Sequence, residues 1–275
     1  MWYKTDEEEE ALCGPIYAYY FRKQSSGGKM ILPSKPQTAR VSGTFPTGKT
    51  WLFYGPPKIG KTAIASQFPK PFAVDLEQGW DEVGGMVAHP QTLADLSQLM
   101  EALEGPYGKP YESIIIDTLD VVHGWMEEET LEEVGKKIKR ELSAMGEAPE
   151  GLDWAISRKK TMGFLEAWRV FARNTNKTVV FIAHANSVMA EKGTITQKAM
   201  SIDLPGKLAR RVPAKVDAVG YCYGVKGRDA QNKPIIERKV SFEPYSDLEA
   251  GCRFKELSGK VLPMSFKSIR EQFKA

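Results

Sequence analysis

The sequence has few of the residues that mark disulfide-bonded, metal-stapled or membrane proteins. Of its 275 residues, three are cysteine and three are histidine. The cysteines, Cys13, Cys222 and Cys252, are too far apart for a metal-binding spacing and too few for a disulfide framework. No apolar run reaches membrane-spanning length, and the first residues lack the basic and apolar regions of a signal peptide. These absences predict a soluble protein of a reducing cytoplasm, with no membrane partner.

The sequence also has little excess of positive over negative charge: 38 lysines and arginines against 35 acidic residues give a net charge of +3. Such a small value does not by itself indicate a nucleic-acid partner. The charges are unevenly distributed, however. Residues 5–10 are almost wholly acidic, whereas one acid, Asp203, lies in the segment 192–215 among the basic residues Lys192, Lys198, Lys207, Arg210, Arg211 and Lys215.

The length and the hydrophobic content of 42% allow one large buried core. We expect an N-terminal extension over residues 1–42 and one domain over 43–275. The predicted extension contains the stretch Ser25-Ser26-Gly27-Gly28, whose composition is typical of a flexible segment.

Two segments a dozen positions apart spell the phosphate-loop pattern G-x-x-x-x-G-K-[ST], namely residues 43–50 and 55–62. The pattern binds phosphate when a buried strand enters the loop and a helix leaves it, because backbone N–H groups at the helix start face the phosphates. The second copy follows the apolar run 50–54 and precedes a segment that can form two helical turns before Pro69.

The first copy lacks this context. A polar, Pro-interrupted segment precedes it, and a strand follows Lys49 where a helix would be needed. We therefore predict that residues 43–50 form a turn into the first strand. The predicted nucleotide-binding residues are Gly55, Pro56, Pro57, Lys58, Ile59, Gly60, Lys61, Thr62 and Ala63.

Apolar strands alternate with helical patterns along the rest of the domain. Strands are predicted at 72–76, 113–116 and 178–183, with helical spacing of apolar residues between them. This alternation is typical of a parallel sheet covered on both faces. Residues 216–225 and 234–242 instead predict a C-terminal antiparallel hairpin. The fold class is therefore α/β, a P-loop core with a mostly parallel central sheet flanked by helices.

Polar residues follow the predicted strands where ligands bind in parallel sheets, beyond the carboxyl ends. Lys61 is expected to neutralise β- and γ-phosphate oxygens of ATP, and Thr62 to offer its hydroxyl to Mg²⁺. Asp117, after three isoleucines, has the form of the carboxylate that holds the metal's water shell.

Glu77 and His184 follow the second and fourth predicted strands. Glu77 is a candidate for polarising the water that attacks the γ-phosphate, and the alternative is a helix cap. His184 is a candidate γ-phosphate sensor, and the alternative is an ordinary polar residue with satisfied hydrogen bonds.

The motifs at 55–62, 73–79, 114–118 and 180–184 resemble, in order, the core ATPase of the RecA/RadA recombinases. The nearest resemblance is to minimal phage-encoded RecA-like ATPases that act as single-strand annealing proteins. It covers residues 50 to 225 and is strongest at the four strand ends. It implies that Glu77 is the catalytic base. The family commonly has glutamine where this chain has His184, so the coupling of that position to DNA stays open.

The resemblance also implies ATP-dependent binding of single-stranded DNA, self-association as a ring or filament, and a single-strand-binding protein as a further partner. Residues 186–205 are similar in placement to the family's DNA-contacting loop, and a β-hairpin at the sheet edge is the alternative. In the family a basic residue of a neighbouring subunit reaches the γ-phosphate. The candidates for that role or for DNA contacts are Lys198, Lys207, Arg210, Arg211 and, nearer the C-terminus, Arg253.

Two other function classes fit the same motifs. One is a small-molecule P-loop kinase, with a lid in the region 119–160. The other is a nucleotide-gated switch or helicase-loading module. The leading hypothesis is a Mg²⁺-dependent ATPase of DNA recombination, annealing or repair, located in the host cytoplasm if the protein is phage-encoded.

Overall fold

The computed structural model describes residues 43–192, 195–229, 231–244 and 248–274, and side chains outside 188–199. The predicted extension, 1–42, lies outside these residues. The strands are β1 Thr50–Gly55, β2 Pro71–Asp75, β3 Met86–Ala88, β4 Ser113–Asp117, β5 Thr178–Lys192, β6 Ile195–Ile202, β7 Ala218–Arg228, β8 Pro234–Ser241, β9 Gly251–Cys252 and β10 Val261–Pro263. The helices are α1 Lys61–Ala65, α2 Leu93–Glu104, α3 Leu119–Ile138, α4 Leu152–Thr175, α5 Leu208–Lys215 and α6 Phe266–Glu271.

The main sheet has the strand order β10-β8-β7-β1-β5-β4-β2-β3. From β7 to β3 every neighbouring pair is parallel. Antiparallel pairing begins at β7–β8 and continues through β8–β10. The predicted fold class is confirmed: an α/β fold with a mostly parallel sheet, to which β7 and β8, late in the chain, add an antiparallel hairpin.

Side chains of β1 alternate between two hydrophobic cores, because successive residues of a strand point to opposite faces. Leu52 and Tyr54 belong to the core that includes α2, α3, α4 and α5. Trp51 and Phe53 belong to the core that includes α1 and α6. Both faces of the sheet are therefore covered, and β1 is buried along its whole length.

β5 does not end at the edge of the main sheet. Its residues Val179 to His184 pair with β1, and the strand then continues into an antiparallel hairpin in which Ala185 to Lys192 pair with β6. The predicted DNA-contacting loop is thus a hairpin through Ile202, and it grows from a central strand. The hairpin alternative was right about the pairing and wrong about the position at a sheet edge.

Among the described residues, no helix has both the length and the apolar character needed to cross a membrane.

Candidate nucleotide-binding site

The second copy of the pattern lies where β1 ends and α1 begins. Gly55 ends the strand, and a side-chain carbon there would lie 2.3 Å from the carbonyl oxygen of Cys222 on β7. Gly60 precedes the helix with φ 106°, a conformation that L side chains rarely adopt. Both glycines are needed for the loop to fold tightly between strand and helix. As predicted, residues 55–62 have the strand–loop–helix form that lets backbone N–H groups face a phosphate.

Lys61 is held against the inside of this loop. Its Nζ donates to the carbonyl oxygens of Gly55 and Pro56, each at 3.0 Å, and the residue is only 6% exposed. Burial lowers the pKa of Lys61, because the charged ammonium is costly to desolvate. A phosphate entering the loop would supply the opposite charge that this cation lacks inside the loop.

Thr62, in the first turn of α1, contacts Asp117, the last residue of β4. The Thr62 hydroxyl donates to Oδ2 of Asp117 at 2.7 Å, and Trp80 Nε1 donates to the same oxygen at 3.1 Å. Burial raises the pKa of Asp117 to about 6, and the nearby carboxylate of Glu77 adds to the increase.

These two side chains fit a hydrated Mg²⁺ ion. Mg²⁺ prefers oxygen ligands, and the pair offers a hydroxyl and a carboxylate. Within the described ranges no basic side chain lies close enough to form an ion pair with Asp117, so a cation bound there would stabilise the buried carboxylate. Thr62 and Asp117 would hold the ion, which would neutralise phosphate charge when bound.

Glu77 lies in a loop that a buried aspartate organises. β2 ends at Asp75, one residue before the end of the predicted strand 72–76, and Asp75 is 1% exposed. Its carboxylate accepts hydrogen bonds from the backbone N–H groups of Glu77, Gly79 and Trp80 at 3.1–3.2 Å. Glu77 therefore projects from a fixed loop, and its side chain remains 36% exposed. Oε1 accepts a hydrogen bond from the Thr118 hydroxyl at 2.9 Å.

His184 faces Glu77 across this edge of the sheet. It pairs in register with Gly55, the first residue of the phosphate loop. Its Nδ1 lies 3.7 Å from Oε1 of Glu77 and 2.6 Å from Oδ2 of Asp120. The backbone N–H of His184 donates to the other oxygen of Asp120 at 3.0 Å. Asp120 thus fixes both the backbone of β5 at His184 and the imidazole ring, and it leaves Nε2 as the ring nitrogen without a hydrogen bond among the described residues.

Three side chains at this site escaped the sequence analysis. Asp120 stands in the first turn of α3, and the short spacing Asp117-Thr118-Leu119-Asp120 was the available signal. Trp80 carries an indole N–H that only the folded chain brings to Asp117. Arg238 comes from β8, and a side-chain carbon added at Gly60 would lie 3.1 Å from its Nη1. Arg238 is therefore a cation of the same chain beside the phosphate loop.

The basic residues that the sequence analysis did predict lie away from the phosphate loop. Lys207, Arg210 and Arg211 are exposed at the start of α5 and along it, and none of them contacts the phosphate loop. Arg253 lies 3.4 Å from Asp217, next to the first residue of β1 and so at the far end of the sheet. Lys198 is on β6, and its side chain is outside the described set.

The first copy of the pattern also lies at the far end of β1. Gly43 and Gly48 have positive φ values, and the Thr47 hydroxyl donates to Oδ1 of Asn176 at 2.8 Å. The carbonyl of Lys49 accepts the N–H of Val179 at the start of the pairing with β5. Residues 43–50 form a turn into β1, as predicted, and no helix follows them.

The loop, the hydroxyl–carboxylate pair and the surrounding parallel sheet define a P-loop nucleotide-binding protein. The AAA domain family model matches residues 47–254, and the chain belongs to that family. None of the curated proteins matches the sequence. Among solved structures, the crystal structure of the RadB recombinase is similar, with a TM-score of 0.44 and 16% identity, over 79% of this chain and 87% of that chain.

Proposed function

We propose that the protein is a RecA-type, Mg²⁺-dependent ATPase that binds single-stranded DNA and acts in recombination, annealing or repair, in the manner of a phage annealing protein. One observation carries the proposal: β5 runs from the nucleotide site at His184 directly into the β5–β6 hairpin. In this proposal one strand would both meet the γ-phosphate at His184 and carry the hairpin that binds a DNA strand.

The residues at the strand ends divide the work of hydrolysis. Lys61 and the loop N–H groups hold the phosphates, and Thr62 with Asp117 holds the metal ion. Glu77 accepts the proton of the attacking water, because its carboxylate is 36% exposed and lies 3.7 Å from His184, whereas Asp120 is already hydrogen-bonded to the imidazole ring. The hydrogen bond from Thr118 to Oε1 orients that carboxylate.

His184 links the nucleotide to the hairpin. With Nδ1 bonded to Asp120, the ring presents Nε2 toward a ligand as a hydrogen-bonding group. A γ-phosphate hydrogen-bonded to this nitrogen would favour one position of β5 at His184, where the hairpin begins. Release of the phosphate after hydrolysis would remove that preference. ATP binding is thereby coupled to DNA binding, which is the regulatory part of the proposal.

In the proposal, self-association brings a basic side chain of a neighbouring subunit to the γ-phosphate. Lys207, Arg210 and Arg211 are exposed at α5, which supports a role outside their own phosphate loop, on a neighbouring subunit's nucleotide or on DNA phosphates. A cation from a neighbour stabilises transition-state charge in related phosphoryl transfers. The proposal places the protein in the cytoplasm, with a single-strand-binding protein as a further candidate partner.

The proposal is tested by measuring binding of a dye-labelled oligothymidine by fluorescence anisotropy, with a non-hydrolysable ATP analogue and with ADP. We expect tighter binding with the analogue, a steep decrease with salt, and ATP hydrolysis that accelerates when DNA is added. The double variant K207Q/R210Q should weaken DNA binding, whereas K255Q/K267Q, which removes two exposed lysines elsewhere, should not. Equal hydrolysis rates with and without DNA, together with no DNA retention at low salt, would contradict the proposal.

A further inference from the structure

A basic cleft lies between α4 and α5, on the opposite face of the sheet from α1. Its volume is about 550 Å³. The charged residues that line it are Arg158, Lys159, Glu166, Arg169, Arg211 and Lys215. Five cations therefore surround one acid in a chain whose net charge is only +3. Such a concentration of one sign attracts an anionic ligand.

The acid within the cleft shows how a carboxylate is bound there. Oε2 of Glu166 forms an ion pair with Arg169 one helical turn away and lies 3.9 Å from Nζ of Lys215 on α5. Within the described ranges Arg158 and Arg211 have no ion pair, although both line the same cleft. Two guanidinium groups are thus left for further carboxylates, which they can bind through two parallel hydrogen bonds each.

The chain itself contains a segment of matching charge. Asp6, Glu7, Glu8, Glu9 and Glu10 are five consecutive acids. Residues 11–42 connect them to Gly43, and that length of chain can span on the order of 100 Å when extended. Reach is therefore no obstacle. A tethered ligand also acts at an effective concentration of about a millimolar, so several individually weak ion pairs suffice.

We propose that the acidic segment Asp6–Glu10 occupies the α4–α5 cleft of its own chain. Occupation withholds Arg211 from other anions, so the segment regulates access to this basic surface. Occupation by the acidic segment of another copy is a different outcome, which the following experiment separates. The proposal does not depend on ATP or DNA binding.

The test is zero-length carbodiimide crosslinking of the full chain, which joins a carboxylate to an amine only when they are in contact. Crosslinked peptides are identified by mass spectrometry at about 50 mM and about 500 mM salt, because screening weakens exposed ion pairs. We expect residues 6–10 to crosslink to Lys215 or Lys159 at low salt, with at least a several-fold decrease at high salt. A mixture of isotopically heavy and light protein should give no mixed crosslinks.

Arginine variants test the cleft without removing the reactive amines. R158Q/R211Q should decrease the crosslinks several-fold, R158K/R211K should retain them, and the matched surface control K255Q/K267Q should leave them unchanged. Circular dichroism confirms that each variant is folded. Crosslinks that spread equally to lysines outside the cleft, or that are insensitive to R158Q/R211Q, overturn the proposal. Mixed heavy–light crosslinks overturn it in favour of a neighbouring copy.

Discussion

The two copies of the phosphate-loop pattern lie at opposite ends of the same strand, and both use their threonine in the same way. Thr50 of the first copy donates to Asp217 at 3.1 Å, and Thr62 of the second donates to Asp117 at 2.7 Å. The difference is the charge around each aspartate. Asp217 has Arg253 beside it, whereas Asp117 has no ion-pair partner among the described residues. In the first copy the threonine's aspartate already has a cationic partner from the same chain. In the second copy the aspartate is buried, and a bound cation would supply that partner.

The largest difference between the two copies is expected when the lysine of each is replaced and ATP affinity is measured. Lys61→Ala removes a cation buried inside the loop, so we expect ATP affinity to decrease by about 10³-fold, as for truncation of a buried charged partner. Lys49→Ala should leave the affinity within about two-fold, because Lys49 contributes its backbone carbonyl to the sheet. Titration calorimetry with Mg·ATP measures both. A large decrease with Lys49→Ala would overturn the assignment of the two copies.

Glu77 tests whether the second copy also catalyses. Glu77→Gln keeps the size and the hydrogen bond from Thr118 but removes the base, so we expect hydrolysis to decrease about 10²- to 10³-fold while ATP affinity is retained. Glu82→Gln, an exposed carboxamide change in the same loop, is the matched control and should hydrolyse ATP normally. Steady-state hydrolysis and equilibrium ATP binding are measured in parallel. Normal hydrolysis by Glu77→Gln would favour a nucleotide switch.

The sequence revealed those parts of this site that are local. The strand, glycines and lysine of residues 50–62 are contiguous, and Asp117 directly follows three isoleucines, so both could be predicted. The spacing from Asp117 was a signal for Asp120, but its role could not be predicted, because it depends on β5 bringing His184 to the start of α3, 64 residues away. Arg238 depends likewise on the antiparallel return of β8. For residues 186–205 the resemblance predicts a DNA-contacting loop, with a β-hairpin as the alternative, and Gly193-Thr194 between alternating segments is a sequence signal for the hairpin.

Replacing each aspartate with asparagine should change the free energy of unfolding in opposite directions. A pKa near 6 for Asp117 means that its ionised form costs the folded protein about 3 kcal/mol at neutral pH. Asp117→Asn should therefore raise the free energy of unfolding of the nucleotide-free protein by about 1–3 kcal/mol at pH 7.5. Asp217→Asn should lower it by about 1–3 kcal/mol, because Arg253 and the Thr50 N–H lose a charged partner.

The pH dependence follows from the direction of the Asp117 shift. Between the ordinary carboxyl pKa near 4 and about 6, the folded protein holds a proton that the unfolded chain has released. The contribution of Asp117 to stability therefore rises as the pH falls through this window, and the advantage of Asp117→Asn should disappear near pH 4. Urea denaturation at several pH values, without divalent cations, measures both variants. A stability difference that is constant with pH would show that the Asp117 charge is not its cause.

The smallest effect is expected at the second glycine of the first copy. Gly48 has φ 65°, and a side-chain carbon there would lie 3.1 Å from Oδ1 of Asn176. Gly48→Ala should lower the free energy of unfolding by about 1–2 kcal/mol, the cost of a left-handed alanine, without changing ATP affinity. Gly60→Ala, at the equivalent position of the second copy, places a carbon 2.9 Å from Met264 and beside the phosphate position, so it should decrease ATP affinity as well. Denaturation and calorimetry on the two variants separate a glycine needed for a turn from one needed for a ligand, and a loss of ATP affinity in Gly48→Ala would remove that distinction.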